Sequence, residues 1–221
     1  MIEMTLENIR KKPNILIGIL ILYFSVGILL FSLELTRPLF RALTPWSLIL
    51  SFAAILLFQK EWSLRLGIAF LAVFLATLMI EIIGVNTGVL FGSYAYGPAF
   101  GPRILHTPIL IGLNWLILIY CSAAIVNHHL RHSLIRLLAA SMLMVAYDLI
   151  LEYVAPIMGM WSWDTPYPGI RNFLMWFGVA LLMHLIFQLL GIQIRNKPAR
   201  YLFFVQMLFF CVIAIFSLLK N

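Results

Sequence analysis

Three carboxylic acids lie inside stretches of sequence that are otherwise apolar. Glu81, Asp148 and Glu152 are each flanked mainly by apolar side chains. An ionisable side chain within a membrane span costs about 2.5–3.5 kcal/mol on insertion scales, so it indicates a function by default. Asp148 and Glu152 are four residues apart, so on a helix they share one face and lie about 6 Å apart along the axis. The acids therefore predict proton-transfer chemistry.

Two carboxyl groups in one apolar site cannot easily both ionise. One of the three acids is therefore expected to keep its proton at neutral pH, which is what a strong general acid requires. The structural alternative is that Asp148 or Glu152 caps a neighbouring helix or pairs with Arg103 or Arg171. The other acids fall in tails or loops: Glu3, Glu7, Glu34, Glu61 and Asp164.

The elements that must position these acids are membrane-spanning helices. The 221 residues are 63% hydrophobic and only 10% charged, whereas a soluble domain is about a quarter charged. About 20 apolar residues cross the hydrocarbon core. We expect an all-α helical bundle that forms a single transmembrane domain over residues 1–221. We expect this domain to lie in the cell (inner) membrane, with the lipid bilayer as its partner. The predicted spans are 15–33, 45–59, 66–84, 104–126, 136–155, 173–193 and 201–219.

The net charge of +7 reflects basic residues that lie between the apolar runs. This distribution is typical of membrane topology, so we expect no nucleic-acid partner. The positive-inside rule favours the N-terminus inside and the C-terminus outside. The inner set is Arg10, Lys11, Lys12, Lys60, Arg65, Arg131, Arg136, Arg195, Lys197 and Arg200; the outer set is Arg37, Arg41, Arg103, Arg171 and Lys220. The two longest connections, 85–103 and 156–172, then fall on the outer side, where we expect the function.

Aromatic and amide side chains surround the acids in the sequence. A membrane-interface belt explains most of the aromatic residues, but Trp161 and Trp163 follow the acidic pair closely, and aromatic faces can stabilise a cation. Asn114 and Asn172 could orient a carboxyl group or a water, or could join two helices. The candidate substrate-binding residues are Tyr94, Tyr96, Asn114, Trp115, Trp161, Trp163 and Asn172.

Other motifs argue against cofactor and metal chemistry. The chain has no P-loop and no Rossmann glycine fingerprint. His128, His129 and His132 have a spacing that could bind a metal. They lie on the basic, inner side, away from the acids, so we expect no metal.

Three motifs, in this order, resemble one known family. E-x-x-G-x-x-T-G-x-x-F-G-x-Y-x-Y runs from Glu81 to Tyr96, and Pro108 is followed by Asn114 and Trp115. Asp148 and Glu152 then precede a W-x-W. Together they are similar to the carotenoid biosynthesis membrane-protein family, which includes carotenoid hydratases, over roughly residues 81–177.

The resemblance implies a hydro-lyase that adds water to the terminal double bond of an acyclic (ψ) carotenoid end group. The product is a tertiary alcohol, and no redox change occurs, so no cofactor is required. Other enzymes of the carotenoid pathway are candidate partners. Asp148 would protonate the alkene, and Glu152 or Glu81 would act as general base. The rings of Trp161, Trp163 and Tyr94 would surround the cation and shield it, and Asn114 would orient a carboxyl group.

Two other functions fit the same acids. A carotenoid end-group cyclase, or another isoprenoid-modifying membrane enzyme, begins with the same protonation, and an internal double bond then captures the cation. A proton-coupled transporter would use buried acids as a proton relay. However, the sequence has no internal repeat of the kind that many transporters contain. A structural assembly subunit would leave the three acids without a role.

Overall fold

A computed structural model describes residues 10–220, so Glu3 and Glu7 lie outside the described residues. Seven helices in this range are long and apolar enough to cross a membrane, which confirms the predicted all-α, seven-span architecture. They are α1 (Pro13–Ser32), α2 (Arg37–Leu56), α3 (Leu64–Thr87), α4 (Leu110–His129), α5 (Ser133–Met158), α6 (Ile170–Leu189) and α7 (Lys197–Lys220). The orientation across the membrane stays a prediction.

All seven helices begin at a residue other than the predicted one, and two of them, α2 and α4, begin more than four residues away from it. Helix α2 starts at Arg37 rather than at 45, so Pro45 lies inside it rather than near its start. Pro38 occupies the first turn, where the missing N–H costs nothing. Helix α4 starts at Leu110 rather than at 104, because the preceding residues form a small hairpin.

That hairpin pairs β2 (Arg103–Ile104) with β3 (Thr107–Pro108). Its two turn residues, Leu105 and His106, both have positive φ angles, as a two-residue hairpin turn of type I′ requires. Asn86 holds this turn in place: its Nδ2 donates to the Leu105 carbonyl at 2.8 Å. Hydropathy did not detect this turn, because Ile104 and Leu105 are as apolar as the residues of the helix that follows.

Helix α4 is the central helix of the bundle. It packs against α2, α3, α5, α6 and α7, and 83% of its most apolar 18-residue stretch is buried. A helix that is apolar on all sides is expected in such a position. Helices α3 and α5 both pack against α4 and α6, and α1 lies against α2 and α7. The end of the bundle where α3 and α5 end and α4 and α6 begin is called the site end below.

Candidate functional site

A two-stranded antiparallel sheet closes the site end of the bundle. Strand β1 (Tyr94–Tyr96) pairs with β4 (Trp161–Trp163), with Tyr94 opposite Trp163 and Tyr96 opposite Trp161. Alternate residues of a strand point to opposite faces, so these four aromatic residues share one face. They are buried or half-buried, whereas Ala95 and Ser162 between them are exposed. The spacing of two in the Y-x-Y and W-x-W motifs is therefore the spacing of a strand.

Glu81 accepts three hydrogen bonds inside the bundle. The hydroxyls of Tyr94 and Tyr96 donate to Oε2 at 2.6 and 2.7 Å, and Trp115 Nε1 donates to Oε1 at 2.8 Å. The carboxyl group is 4% exposed, so these protein donors replace water. A carboxyl group that only accepts hydrogen bonds has the partners that suit an ionised carboxylate.

Both tyrosine hydroxyls belong to the sheet rather than to a span. Burial raises the pKa of Tyr94 and of Tyr96 above the ordinary value, and the neighbouring Glu81 raises both further. The hydroxyls therefore keep their protons through the physiological range and remain donors to Glu81.

The glycines of the first motif allow the sheet to approach α3. A Cβ on Gly84, three residues after Glu81, would lie 2.6 Å from the Phe91 ring and 3.4 Å from the Tyr94 hydroxyl. Gly97, which follows β1, is in still closer contact, since a Cβ there would lie 2.2 Å from the Gly159 carbonyl oxygen. Larger residues at either position would push the tyrosines away from Glu81.

Glu152 is bound from the opposite strand of the same sheet. Trp161 Nε1 donates to Glu152 Oε2 at 2.9 Å, and Trp163 Nε1 donates to the same oxygen. Asn172, in the first turn of α6, donates to Glu152 Oε1 at 3.3 Å. Alternate residues of β1 thus give Glu81 two hydroxyl donors, and alternate residues of β4 give Glu152 two indole N–H donors.

Asp148 and Glu152 accept hydrogen bonds from the same residue, Asn172. Asn172 Nδ2 donates to Asp148 Oδ2 at 3.0 Å, so a single amide joins the two carboxyl groups. Asp148 is fully buried, and its Oδ1 has no hydrogen-bond partner among residues 10–220. Within the described residues, this is the one carboxyl oxygen of the three acids that accepts no hydrogen bond, so it is the oxygen that can carry a proton without losing a donor.

A small cavity separates Glu81 from Glu152. It is bordered by both carboxyl groups, by the four sheet aromatics and by Asn172, and its volume is about 10 Å³. One water needs about 10–15 Å³ and two or more polar partners. Trp176, which is one of the aromatic residues near the acids in the sequence but was not a candidate binding residue, also borders this cavity and stacks on Trp115 with ring centroids 4.0 Å apart.

A larger, apolar cavity lies beside the acid cluster, between α1, α2, α5 and α7. Its volume is about 120 Å³, and Tyr147 and Leu151 of α5 line it on the helix that carries Asp148 and Glu152. Phe100 also lines it and packs against Tyr96 and Trp161, with ring centroids 6.2 and 6.0 Å apart. Phe100 of the apolar cavity and Tyr96 and Trp161 of the small cavity therefore lie between the two cavities.

The structure brings six of the seven candidate binding residues to the acids; the exception is Asn114. We expected Asn114 to orient a carboxyl group, but Asn172 makes those contacts. Asn114 lines the apolar cavity instead. Asn172 begins a helix at the site end, where its amide reaches α5, while Asn114 lies within α4 facing another side of the bundle.

The arginines proposed as structural partners bind elsewhere. Arg103 donates to the Gly97 carbonyl and Arg171 to the Gly88 carbonyl, so neither pairs with Asp148 or Glu152. His128 and His129 end α4 at the opposite end of the bundle from the acids, with their ring centroids 4.7 Å apart.

The fold and the site define the class of protein: a multi-pass membrane protein with carboxyl groups buried between its helices. Residues 43–221 match the family described as carotenoid biosynthesis protein, so the chain belongs to that family and the resemblance of its motifs is confirmed. A curated relative, the bisanhydrobacterioruberin hydratase of Haloarcula japonica, is 27% identical over 112 residues. This match covers 46% of the chain and 36% of the relative, so the chain spans little more than a third of the relative's length. No solved structure matches the chain.

Proposed function

We propose that this protein is a carotenoid hydratase that adds water to the terminal carbon–carbon double bond of an acyclic (ψ) end group. The observation that carries the proposal is the water-sized cavity between Glu81 and Glu152, with Asp148 joined to Glu152 through Asn172. The family membership and the hydratase name of the relative support the same reaction. The substrate would reach the site from the surrounding lipid.

Asp148 is the proposed proton donor. A trisubstituted alkene is a very weak base, so it needs a carboxylic acid that burial keeps protonated. The proton of Asp148 Oδ1 forms a new C–H bond at the less substituted alkene carbon, and the π electron pair provides that bond. The other alkene carbon becomes a tertiary cation. Asp148 itself does not border the apolar cavity, but its neighbours on α5, Tyr147 and Leu151, line it.

Glu152 is the proposed general base. The water between Glu81 and Glu152 attacks the cation with an oxygen lone pair and loses one proton to Glu152, which gives the tertiary alcohol. Glu152 then returns that proton to Asp148, with which it shares the Asn172 amide. The atoms balance, since one water is consumed and the protein returns to its initial state.

Glu81 and the aromatic residues are proposed to stabilise the cation. With three donors fixed on it, the Glu81 carboxylate holds a negative charge next to the reacting centre. Such preorganised charge is worth most where water is excluded. The faces of Trp161, Trp163 and Tyr94 contribute further cation–π stabilisation and shield the cation from other nucleophiles.

Expression in a lycopene-producing host tests the proposal. Cells with the wild-type chain should accumulate a pigment that is heavier than lycopene by one water, and Asp148→Asn should abolish it. Asp164→Asn is the matched control, because this exposed loop aspartate makes no side-chain contact with the site. A pigment of unchanged mass but altered spectrum would identify a cyclase instead, and normal hydration by Asp148→Asn would refute the role of this acid.

A further inference from the structure

Two polar side chains that border the apolar cavity, Asn114 and Gln206, make no side-chain hydrogen bond within residues 10–220. Asn114 is 7% exposed and borders the cavity, and its Nδ2 has no hydrogen-bond partner among residues 10–220. Gln206, which is 6% exposed, borders the same cavity and makes no side-chain hydrogen bond within the described part of the chain. A buried donor without a partner costs about 1–3 kcal/mol, so such groups in a native cavity call for a ligand.

The rest of the lining determines what kind of ligand fits. It is almost entirely aromatic and aliphatic, from Phe24 and Leu48 on one side to Tyr147 and Phe210 on the other. An apolar pocket with a few convergent polar groups is the usual form of a small-molecule site. The ligand should therefore be a hydrocarbon chain that carries a hydrogen-bonding oxygen.

The mouth of the cavity faces the membrane. Tyr23, Val26 and Leu43 line it and are each about 40% exposed on the lipid-facing surface of α1 and α2. A lipid-dissolved chain can therefore enter between these two helices. At its inner end, Phe100 packs against Tyr96 and Trp161, which border the acid cluster.

We propose that this cavity binds the hydroxylated end of the carotenoid, with the Asn114 side-chain amide hydrogen-bonded to the tertiary hydroxyl group. Gln206 provides a second hydrogen-bonding group to the same hydroxyl. The inference rests on the proposed function, because hydration is what places a hydroxyl at this end of the chain. Asn114 is then a binding residue that distinguishes product from substrate, and not a residue that orients a carboxyl group.

Binding of a matched pair tests this directly. Lycopene and its tertiary alcohol are titrated onto purified wild-type protein in nanodiscs, and quenching of tryptophan fluorescence gives both dissociation constants. One or two neutral hydrogen bonds predict that wild type binds the alcohol about tenfold more tightly, which is about 1.4 kcal/mol. Asn114→Leu should reduce this preference and the double variant with Gln206→Leu should bind the two equally, whereas Asn127→Leu, at the opposite end of α4, should keep the full preference.

A filled cavity gives the second test. Ser47→Phe places a ring in the lining and should abolish binding of both pigments, whereas Ala53→Phe on the exposed side of the same helix should not. Retention of the tenfold preference by Asn114→Leu, or normal binding by Ser47→Phe, would overturn the inference, as would equal binding of both pigments by wild type.

These measurements are independent of turnover. If the wild-type protein binds the alcohol preferentially but leaves lycopene unchanged in the host, the proposed hydratase activity is refuted and the proposed binding site is supported. Thermal unfolding shows whether the Asn114→Leu variant folds normally. The substitution removes an unsatisfied buried donor, so the midpoint of thermal unfolding should be unchanged or higher. A clear drop in that midpoint would assign Asn114 a structural contact and contradict the proposal.

Discussion

Tyr94 and Tyr96 form an unusual pair, because both hydroxyls donate to the same oxygen of Glu81. Replacing either residue by phenylalanine removes one hydroxyl and leaves the ring in place. After a single substitution, Glu81 Oε2 still has one donor. After both, this buried oxygen has none among the described residues, so the second loss should cost more than the first.

The magnitude follows from the charge of the acceptor. A hydrogen bond to a charged group contributes about 1.5–3 kcal/mol to stability, and a buried acceptor without a partner costs about 1–3 kcal/mol. We expect each single variant to lose about 1.5 kcal/mol and the double variant about 4 kcal/mol. The coupling energy is then about 1 kcal/mol, as for residues that share one network.

Unfolding in mixed micelles with increasing denaturing detergent measures these free energies for wild type, both single variants and the double variant. Tyr201→Phe is the matched control. Its ring is 43% exposed, its hydroxyl makes no hydrogen bond within residues 10–220, and its loss should cost less than about 0.5 kcal/mol. The cycle is then repeated in a Glu81→Gln background, where each bond is made to a neutral acceptor and should be worth about half as much.

Additive losses in the Tyr94→Phe, Tyr96→Phe cycle would refute the shared-oxygen geometry. The same losses in the Glu81→Gln background as in wild type would instead refute an ionised Glu81, and with it the proposed fixed negative charge near the cation.

Two further predictions concern the sheet that carries these tyrosines. Gly84→Ala should cost about 1–3 kcal/mol of stability and lower the yield of hydrated carotenoid, because the new Cβ would overlap the Phe91 ring. Gly178→Ala is the control and should be neutral or stabilising, since open space surrounds Gly178. Equal stability of the two variants would contradict this packing. The raised pKa values of Tyr94 and Tyr96 predict that their contribution to stability is fully present below the ordinary tyrosine pKa of about 10 and is lost as the pH rises above it. Unfolding midpoints from pH 8 to about 11.5 should fall at the alkaline end, and less so in the double phenylalanine variant.

The seven helices and the three buried acids could be predicted because both signals are local. Runs of apolar residues fix the spans, and Glu81, Asp148 and Glu152 are conspicuous within them. The start of α4 could not be found in this way, since the turn of the β2–β3 hairpin is held by Asn86 from another helix.

The pairing of β1 with β4 was the main feature that the sequence did not reveal. Two three-residue strands from distant connections pair only once the helices have brought them together. The alternation of Tyr94 with Tyr96 and of Trp161 with Trp163 was the available signal, and it predicts two strands if it is interpreted with period two. Asn114 and Asn172 could not be told apart, because each is one amide in an apolar helix and only packing decides which one reaches Asp148.

The most direct test of the proposed mechanism is turnover of lycopene by purified protein in water enriched in the heavy oxygen isotope. Mass spectrometry of the extracted pigment should find one heavy oxygen in a tertiary alcohol with the wild type and with Asp164→Asn, and none with Asp148→Asn. Unlabelled or unchanged pigment from the wild type, or full labelling by Asp148→Asn, would contradict acid-catalysed hydration at this cluster.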